Sequence, residues 1–368
     1  MTRLDRLIDE QGQSPWVDNL TRPMLRDGTL GRLVASGVRG VTANPSIVAK
    51  AIASTDAYDE QFAALLATGS SVGDAYWEMA LTDVSDALEI LRPTYLHSHG
   101  GDGFVSIEVA PRWARDTQAT IQEAREFHER IGKPNLLVKI PATREGVEAV
   151  EAMIAEGRSI NVTLLFSLSR YGEILDAYVS GLERFARRGG DLASVHSVAS
   201  FFVSRVDTVV DQRLEEIGTQ AALALRGRAA IAQAKLAYQM FRDAHSGGRW
   251  ARLARLGARV QRPLWASTST KNPHYPDTMY VDNLIGPDTI NTLPERTLQA
   301  FEDHGHLARS IDTRLVDAFG VLRALSGLGI SLEEVGQSLE DQGIAAFEAS
   351  LSEVLDELQA RSRAHSLR

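Results

Sequence analysis

The chain has 368 residues, with 39 basic and 48 acidic side chains and a net charge of −9. This acidity excludes a generic nucleic-acid coat, and a composition of 44% hydrophobic and 24% charged residues excludes a disordered or collagen-like chain. The absence of cysteine excludes disulfides, thiolate metal sites, iron–sulfur clusters and cysteine nucleophiles.

Short apolar runs bounded by turn signals predict eight strands. In chain order they cover Trp16–Leu20, Val38–Ala43, Phe104–Val109, Asn135–Ile140, Ile160–Phe166, Val195–Val203, Pro263–Ser267 and Thr278–Ile285. Amphipathic helical patterns between the strands include Ser46–Ala67, Pro111–Ile131, Glu145–Glu156, Ser169–Arg187 and Ala229–Ala244. This alternation of strand and helix predicts parallel strand pairing.

Several of these strands are apolar on both faces, as expected for strands with helices outside and other strands inside. An open, doubly wound sheet is the alternative, but it usually has a glycine-rich turn after a strand, whereas Gly100–Gly103 precedes one. We therefore predict a (β/α)8 TIM barrel. We expect one α/β domain over residues 1–368, with barrel strands at roughly 16–285.

Three further helical patterns follow the predicted barrel, at Pro294–His304, Ala308–Leu325 and Ser331–Arg363. The last opens with a capping box, in which Ser331 is the cap and Glu334 its third helical position. These helices, over residues 294–363, are expected to pack around the barrel.

The first ten residues are rich in charge and contain no apolar signal segment. The long uncharged run Leu192–Ser204 is too short to cross a bilayer. From these features we expect a cytoplasmic protein with no membrane segment and no nucleic-acid partner.

Lys139 is unusual because it interrupts an apolar strand in a chain with few lysines. A buried amine loses stabilisation of its charged form and can then form a Schiff base, which arginine cannot do. Acidic side chains end two other strands, Asp18 and Glu108, and catalytic side chains of barrels lie at strand carboxyl ends. The alternative is that Lys139 reaches solvent beside Glu108 and that both carboxylates are structural.

Other polar side chains near strand ends also have two interpretations. Asn44 either faces a ligand or caps the helix that begins at Pro45. Asn161 and Thr163 lie two apart, hence on one face, where they either bind substrate or form a buried network.

A phosphate site is suggested by hydroxyl and cationic side chains that flank the end of the sixth strand or follow the seventh. These side chains are Ser200, Arg205, Ser269 and Lys271. Arg205 could instead pair with Asp207 at the surface. The histidine pairs His97/His99 and His304/His306 could suit a metal only if folding joined them, and we favour no metal.

Six motifs in order together resemble the transaldolase family over essentially the whole chain. They are Val17-Asp18, Thr42-Ala43-Asn44-Pro45-Ser46, Ile107-Glu108-Val109, Leu137-Val138-Lys139-Ile140-Pro141-Ala142-Thr143, Ile160-Asn161-Val162-Thr163-Leu164-Leu165-Phe166-Ser167 and Trp265-Ala266-Ser267-Thr268-Ser269-Thr270-Lys271-Asn272.

The resemblance implies an α/β barrel without cofactor or metal, in which Lys139 forms a Schiff base with a ketose phosphate. It further implies that Asp18 is the acid/base of carbon–carbon cleavage, while Glu108 and Thr163 activate water. Substrate hydroxyls would contact Asn44 and Asn161, with Ser200 nearby. The phosphate would contact Arg205, Ser269 and Lys271.

The implied reaction moves a dihydroxyacetone unit from sedoheptulose 7-phosphate or fructose 6-phosphate to glyceraldehyde 3-phosphate or erythrose 4-phosphate, in the pentose phosphate pathway. Sugar phosphates are the expected partners, and the chain is expected to act as a monomer or homodimer. Phe202 replaces a tyrosine found in aldolase-like members, which favours transfer. Lys271 replaces an arginine found in many relatives.

Three alternatives remain open. They are a class I aldolase that releases free dihydroxyacetone, a catalytically silent barrel that binds sugar phosphates, and a lysine-independent isomerase or epimerase.

Overall fold

The computed structural model describes the backbone of residues 1–366 and the side chains of residues 1–363. Eight parallel strands, paired in chain order, close into a barrel, so the predicted (β/α)8 fold is confirmed. The strands are β1 Gln13–Val17, β2 Gly40–Thr42, β3 Phe104–Glu108, β4 Leu136–Pro141, β5 Ile160–Leu165, β6 Ser197–Phe202, β7 Arg262–Ala266 and β8 Thr289–Leu293.

Helices occupy the connections between the strands and both ends of the chain. They are α1 Arg3–Gln11, α2 Arg22–Arg26, α3 Thr29–Ala35, α4 Pro45–Ala53, α5 Asp59–Ala67, α6 Val72–His97, α7 Thr117–Ile131, α8 Arg144–Ala155, α9 Leu168–Arg187, α10 Ser204–Ile217, α11 Gln220–Leu223, α12 Ala229–Ala244, α13 Gly248–Arg255, α14 Met279–Asp282, α15 Glu295–His304, α16 Leu315–Gly327 and α17 Leu332–Ser366. Two short 3₁₀ helices cover Pro111–Trp113 and Leu192–Ser194.

The main hydrophobic core lies between the barrel and its surrounding helices. Phe201 on β6 faces outward and meets Tyr171 of α9 edge-on, with ring centroids 5.9 Å apart. Its neighbours in sequence, Ser200 and Phe202, face the barrel interior, because side chains alternate across a strand. A second apolar cluster joins α17, through Leu351 and its neighbours, to the helices α4, α5 and α6.

The predicted eighth strand, Thr278–Ile285, is wrong, and the predicted barrel range of roughly 16–285 ends too early. Residues 279–282 form the short helix α14, because Tyr280 and Val281 both lie buried in one helical turn and the Tyr280 hydroxyl donates to buried Asp207. The true β8 was missed because its polar residues, such as Asn291, are buried inside the fold and hide its strand pattern.

Other boundaries differ less. The first strand is Gln13–Val17 instead of Trp16–Leu20, so Asp18 directly follows it. The predicted helix Ser46–Ala67 breaks after Ala53, where Thr55 Oγ1 accepts the amide of Ala57 in a turn.

The last two predicted helices form with different starts. Residues 308–314 precede α16 and are not helical. The Ser331 hydroxyl accepts the Glu334 amide at 3.3 Å, as its predicted capping role requires, and α17 then begins at Leu332.

No single helix among residues 1–366 has the length and apolar character of a membrane span. The helices Leu315–Gly327 and Leu332–Arg363 together have that length and apolar character, but the break between them bends the pair by 87°.

Candidate active site

Lys139 lies on β4 inside the barrel, with a side chain that is only 5% exposed. Its Nζ is 3.2 Å from Glu108 Oε2 on the neighbouring β3 and donates to the carbonyl of Ala43 at 3.2 Å. The pairing follows from the register, in which Lys139 lies beside Glu108. The contact with Glu108 is mainly electrostatic, because Oε2 has no partner of good hydrogen-bond geometry within the described chain.

Asp18 lies just beyond β1, near enough to Lys139 for the charge of the amine to act on its pKa. Its Oδ1 accepts a hydrogen bond of 2.8 Å from the Thr42 hydroxyl. Thr42 in turn is 2.6 Å from the Thr292 hydroxyl on β8. Because Thr42 has one proton and gives it to Asp18, Thr292 is the donor of the second bond.

Both carboxyl groups are shifted toward their protonated forms. Burial raises the pKa of Asp18, although Lys139 and the Thr42 hydroxyl oppose that shift. Burial also raises the pKa of Glu108, against the charge of Lys139 and with a smaller contribution from Asp18. Two carboxyls that hold a proton above the ordinary carboxyl range can act as general acid and base beside an amine.

Thr163 and Asn161, which share a face of β5, have different surroundings. Thr163 Oγ1 is buried at the cavity wall and has no hydrogen-bond partner among the described residues. Asn161 is fully buried, donates to Ser106 Oγ at 3.0 Å and accepts from Ser200 Oγ at 2.7 Å. Asn161 therefore belongs to a satisfied network, and Ser200 joins this network to the cavity wall.

The carboxyl end of β5 is irregular at this point. Between Val162 and Leu165 the strand carries one more residue than β6, and Leu164 has a φ of 57°. Such bulges are common beside active sites, where they redirect neighbouring side chains.

Positive charge collects at the rim after β6 and β7. Lys271 Nζ donates to Ser269 Oγ at 2.8 Å. The Arg205 guanidinium lies 5.6 Å from the centre of the Phe202 ring and forms no ion pair with a described carboxylate. Burial lowers the pKa of Arg205, and burial together with Arg205 lowers the pKa of Lys271. A half-buried arginine and a more exposed lysine on one cavity wall are a suitable site for phosphate.

A cavity of about 170 Å³ connects these groups. Its wall includes Asn44, whose Oδ1 also caps α4 by accepting the Ile47 amide at 3.0 Å. The structure thus brings the predicted residues together, with Glu108 and Asn161 directly behind the wall. The residues that border the cavity are Asp18, Thr42, Asn44, Lys139, Thr163, Ser200, Phe202, Arg205, Ala266, Ser267, Ser269, Lys271, Thr292, Pro294 and Phe347.

Sequence reasoning missed several of these residues. Thr42 lies within one of the six motifs but had no predicted role, and Thr292 lies on β8, which was not predicted. Phe347 comes from α17 and carries no local signal, since it is one of many apolar residues of an amphipathic helix. Only the packing of α17 against the barrel reveals it.

The surroundings of Asp207 and His304 bear on two alternatives raised by the sequence. Asp207 is buried and accepts the Ala230 amide and the Tyr280 hydroxyl, both at 2.8 Å, so it does not form a surface pair with Arg205. His304 is exposed between Asp277 and Asp303. No group of three or more metal-binding side chains occurs in the part of the chain that the structure describes.

Comparison with known proteins agrees with this geometry. The sequence model of the family described as Transaldolase/Fructose-6-phosphate aldolase matches residues 15–358. A protein named Transaldolase from Thermobifida fusca (strain YX) is 47% identical over 361 residues, which cover 98% of each chain. Transaldolase 1 of Streptomyces avermitilis is 49% identical over 355 residues, covering 96% of this chain and 94% of that protein. The chain therefore belongs to the transaldolase/fructose-6-phosphate aldolase family.

Proposed function

We propose that the chain is a transaldolase that moves a dihydroxyacetone unit between sugar phosphates through an imine at Lys139. The observation that carries this proposal is the buried amine 3.2 Å from Glu108, in a chain 47% to 49% identical to proteins named Transaldolase. Cofactor and metal take no part in the proposed reaction. The cysteine-free composition supports action in the cytoplasm.

Imine formation begins when the neutral amine of Lys139 adds to the ketose carbonyl, after its proton passes to Glu108. The resulting carbinolamine loses water, and the C–N double bond forms. The raised pKa of Glu108 suits it to return a proton to the departing hydroxyl. The free Thr163 hydroxyl supports a role in holding that water.

Carbon–carbon cleavage follows when Asp18 accepts the proton of the substrate hydroxyl next to the breaking bond. The electron pair of that bond flows into the protonated imine, and the aldose phosphate leaves. Thr42 and Thr292 support this role because their hydroxyls hold the Asp18 carboxylate in one orientation. In the second half-reaction the retained carbanion attacks an acceptor aldose phosphate, and Asp18 returns its proton to the new hydroxyl. Water then hydrolyses the new imine, which frees the product ketose phosphate and the amine of Lys139.

The cationic rim would bind the phosphate of donor and acceptor in turn. Arg205 and Lys271 supply charge, while Ser269 supplies a hydroxyl. A phosphate held there directs the carbon chain of the sugar toward Lys139, across the same cavity. Asn44 would contact the substrate hydroxyls, and Asn161 would act through Ser200 because it lies behind the wall.

Borohydride reduction in the presence of fructose 6-phosphate, followed by peptide mass spectrometry, tests the proposal. A three-carbon adduct on Lys139 alone is expected. An adduct on another lysine would overturn the assignment, and Lys235 is a suitable internal check because it is also buried.

A coupled assay separates transfer from aldol cleavage. Transaldolase activity requires an acceptor aldose phosphate, whereas rapid release of dihydroxyacetone without an acceptor would identify an aldolase.

A further inference from the structure

Helix α17 covers the carboxyl end of the barrel. A β-carbon added at Gly343 would come within 2.9 Å of Leu164 Cδ2, and one at Gly336 within 3.0 Å of Ser167 Cβ. These two glycines therefore let the helix approach the end of β5 more closely than any larger residue would allow. On the opposite side, Ser350 Oγ is 2.7 Å from Ser46 Oγ at the start of α4.

Phe347 lies between these two anchor points, one turn after Gly343. It is 4% exposed and borders the cavity. All the other described residues of the cavity wall come from barrel strands or from the segments that directly follow them. Among the described residues of the cavity wall, Phe347 is thus the one that comes from a helix far along the chain from the barrel strands.

The chemistry of transfer explains why an apolar side chain is useful there. After cleavage, Lys139 carries the three-carbon unit as an enamine, and Asp18 holds the proton. If that proton returns to carbon, the iminium that forms can add water, and breakage of its C–N bond releases dihydroxyacetone and the free amine. Transfer requires that the enamine meet an acceptor aldehyde before water reaches the imine.

We propose that Phe347 contributes to this outcome. Its ring closes the cavity against water on the side of α17, and it thereby adds to the preference for transfer that Phe202 already favours. The inference rests on the proposed function, because it concerns the fate of the imine at Lys139. The phenyl ring of Phe347 can neither form a hydrogen bond nor exchange a proton, so the role proposed for it is to determine specificity by excluding water.

The test compares two rates in Phe347→Ala and Phe347→Leu. The first is dihydroxyacetone release from fructose 6-phosphate without an acceptor, and the second is transfer to glyceraldehyde 3-phosphate. We expect Phe347→Ala to raise the ratio of release to transfer by about tenfold. Phe347→Leu should raise it less, since leucine fills more of the space.

Leu351→Ala is the matched control. Leu351 lies one turn further along α17, is also buried, and packs in the second apolar cluster away from the cavity. The Leu351→Ala substitution should lower the melting temperature without changing the ratio of dihydroxyacetone release to transfer.

An unchanged ratio in a folded Phe347→Ala protein would overturn the inference, as would an equal change in Leu351→Ala. If Phe347→Ala does not fold, the test uses Phe347→Leu, in which a raised ratio of release to transfer would support the inference and an unchanged ratio would overturn it. Failure of the proposed function is recognised separately, because the unmodified protein would then form no reducible adduct on Lys139.

Discussion

Charged and hydroxyl side chains occur at both ends of the barrel, but they differ in how fully they are hydrogen-bonded within the protein. At the amino end, Asp102 Oδ1 accepts from Ser14 at 2.7 Å and lies 3.3 Å from both Trp16 Nε1 and the Arg262 guanidinium. At the carboxyl end, the Thr163 hydroxyl is unpaired and Arg205 lacks a carboxylate partner among the described residues.

Space does not distinguish the two ends. A cavity of about 230 Å³, bordered by Trp16 and Arg262, opens at the amino end, and it is larger than the cavity at Lys139. The difference lies in charged and hydroxyl side chains that border each cavity. At the amino end the Arg262 guanidinium donates to a carboxylate and to two backbone carbonyls, whereas at the carboxyl end Arg205 and the Thr163 hydroxyl have no such partners among the described residues. Buried groups without partners cost stability, so they are expected where a substrate completes them.

The largest expected effect concerns the amine itself. Lys139→Met should lower kcat by roughly 10⁴-fold or more, because no other group can form the imine. Lys235→Met is the control: its Nζ donates to the carbonyls of Ser310 and Thr313, so its loss should reduce stability and leave the borohydride adduct intact. Steady-state kinetics and reductive trapping measure both. A trapped adduct in Lys139→Met would contradict the assignment.

The second prediction compares the two aspartates. Asp18→Asn should lower kcat by about 10² to 10⁴-fold, because the amide cannot accept the hydroxyl proton. Asp102→Asn should leave kcat nearly unchanged but lower the free energy of unfolding by about 1–3 kcal/mol, since Ser14 and Arg262 lose a charged acceptor. Kinetics and urea unfolding of both variants are the measurements. Equal losses of kcat in Asp18→Asn and Asp102→Asn would contradict the proposed difference between the two ends of the barrel.

The third prediction compares the two arginines. Arg205→Ala should raise KM for fructose 6-phosphate by about 10- to 100-fold, because one phosphate-binding cation is lost. It should not change kcat/KM for fructose, which has no phosphate. Arg262→Ala should leave both substrates unaffected, since its guanidinium binds the Gly101 and Thr289 carbonyls. A similar loss with both sugars in Arg205→Ala would exclude the phosphate role.

The smallest effect concerns the hydroxyl beside Asp18. The Thr42 hydroxyl lowers the pKa of Asp18 against the larger effect of burial, so Thr42→Val should raise this pKa further. Because Asp18 must be ionised to accept the proton, the acidic limb of kcat should move to higher pH, by less than about one unit.

The predicted shift of the acidic limb in Thr42→Val has two further requirements. The plateau of kcat above the limb should persist in Thr42→Val, and Ser14→Ala, which removes the corresponding hydroxyl beside Asp102, should leave the pH profile unchanged. A shift toward lower pH would show that Thr42 does not stabilise the ionised carboxylate.

Much of the site could be predicted because its residues lie within local motifs at strand ends. Lys139 interrupts an apolar strand, and Glu108 ends the preceding one, so parallel pairing in chain order brings them together. Asn44 showed that two interpretations can hold at once, since it caps α4 and also borders the cavity. For Asn161 the sequence left open either substrate contact or a buried network, and in the structure its amide bonds to Ser106 and Ser200.

The amino-acid sequence by itself determined the alternation of strand and helix, and with it the barrel and the strand that carries the reactive amine. These properties depend on local periodicity, which neighbouring residues encode. Only the tertiary structure decided where β8 lies, that Thr292 supports Thr42 from 250 residues away, and that Phe347 reaches the cavity. Such contacts arise when the barrel closes and α17 packs across it, and no local pattern specifies them.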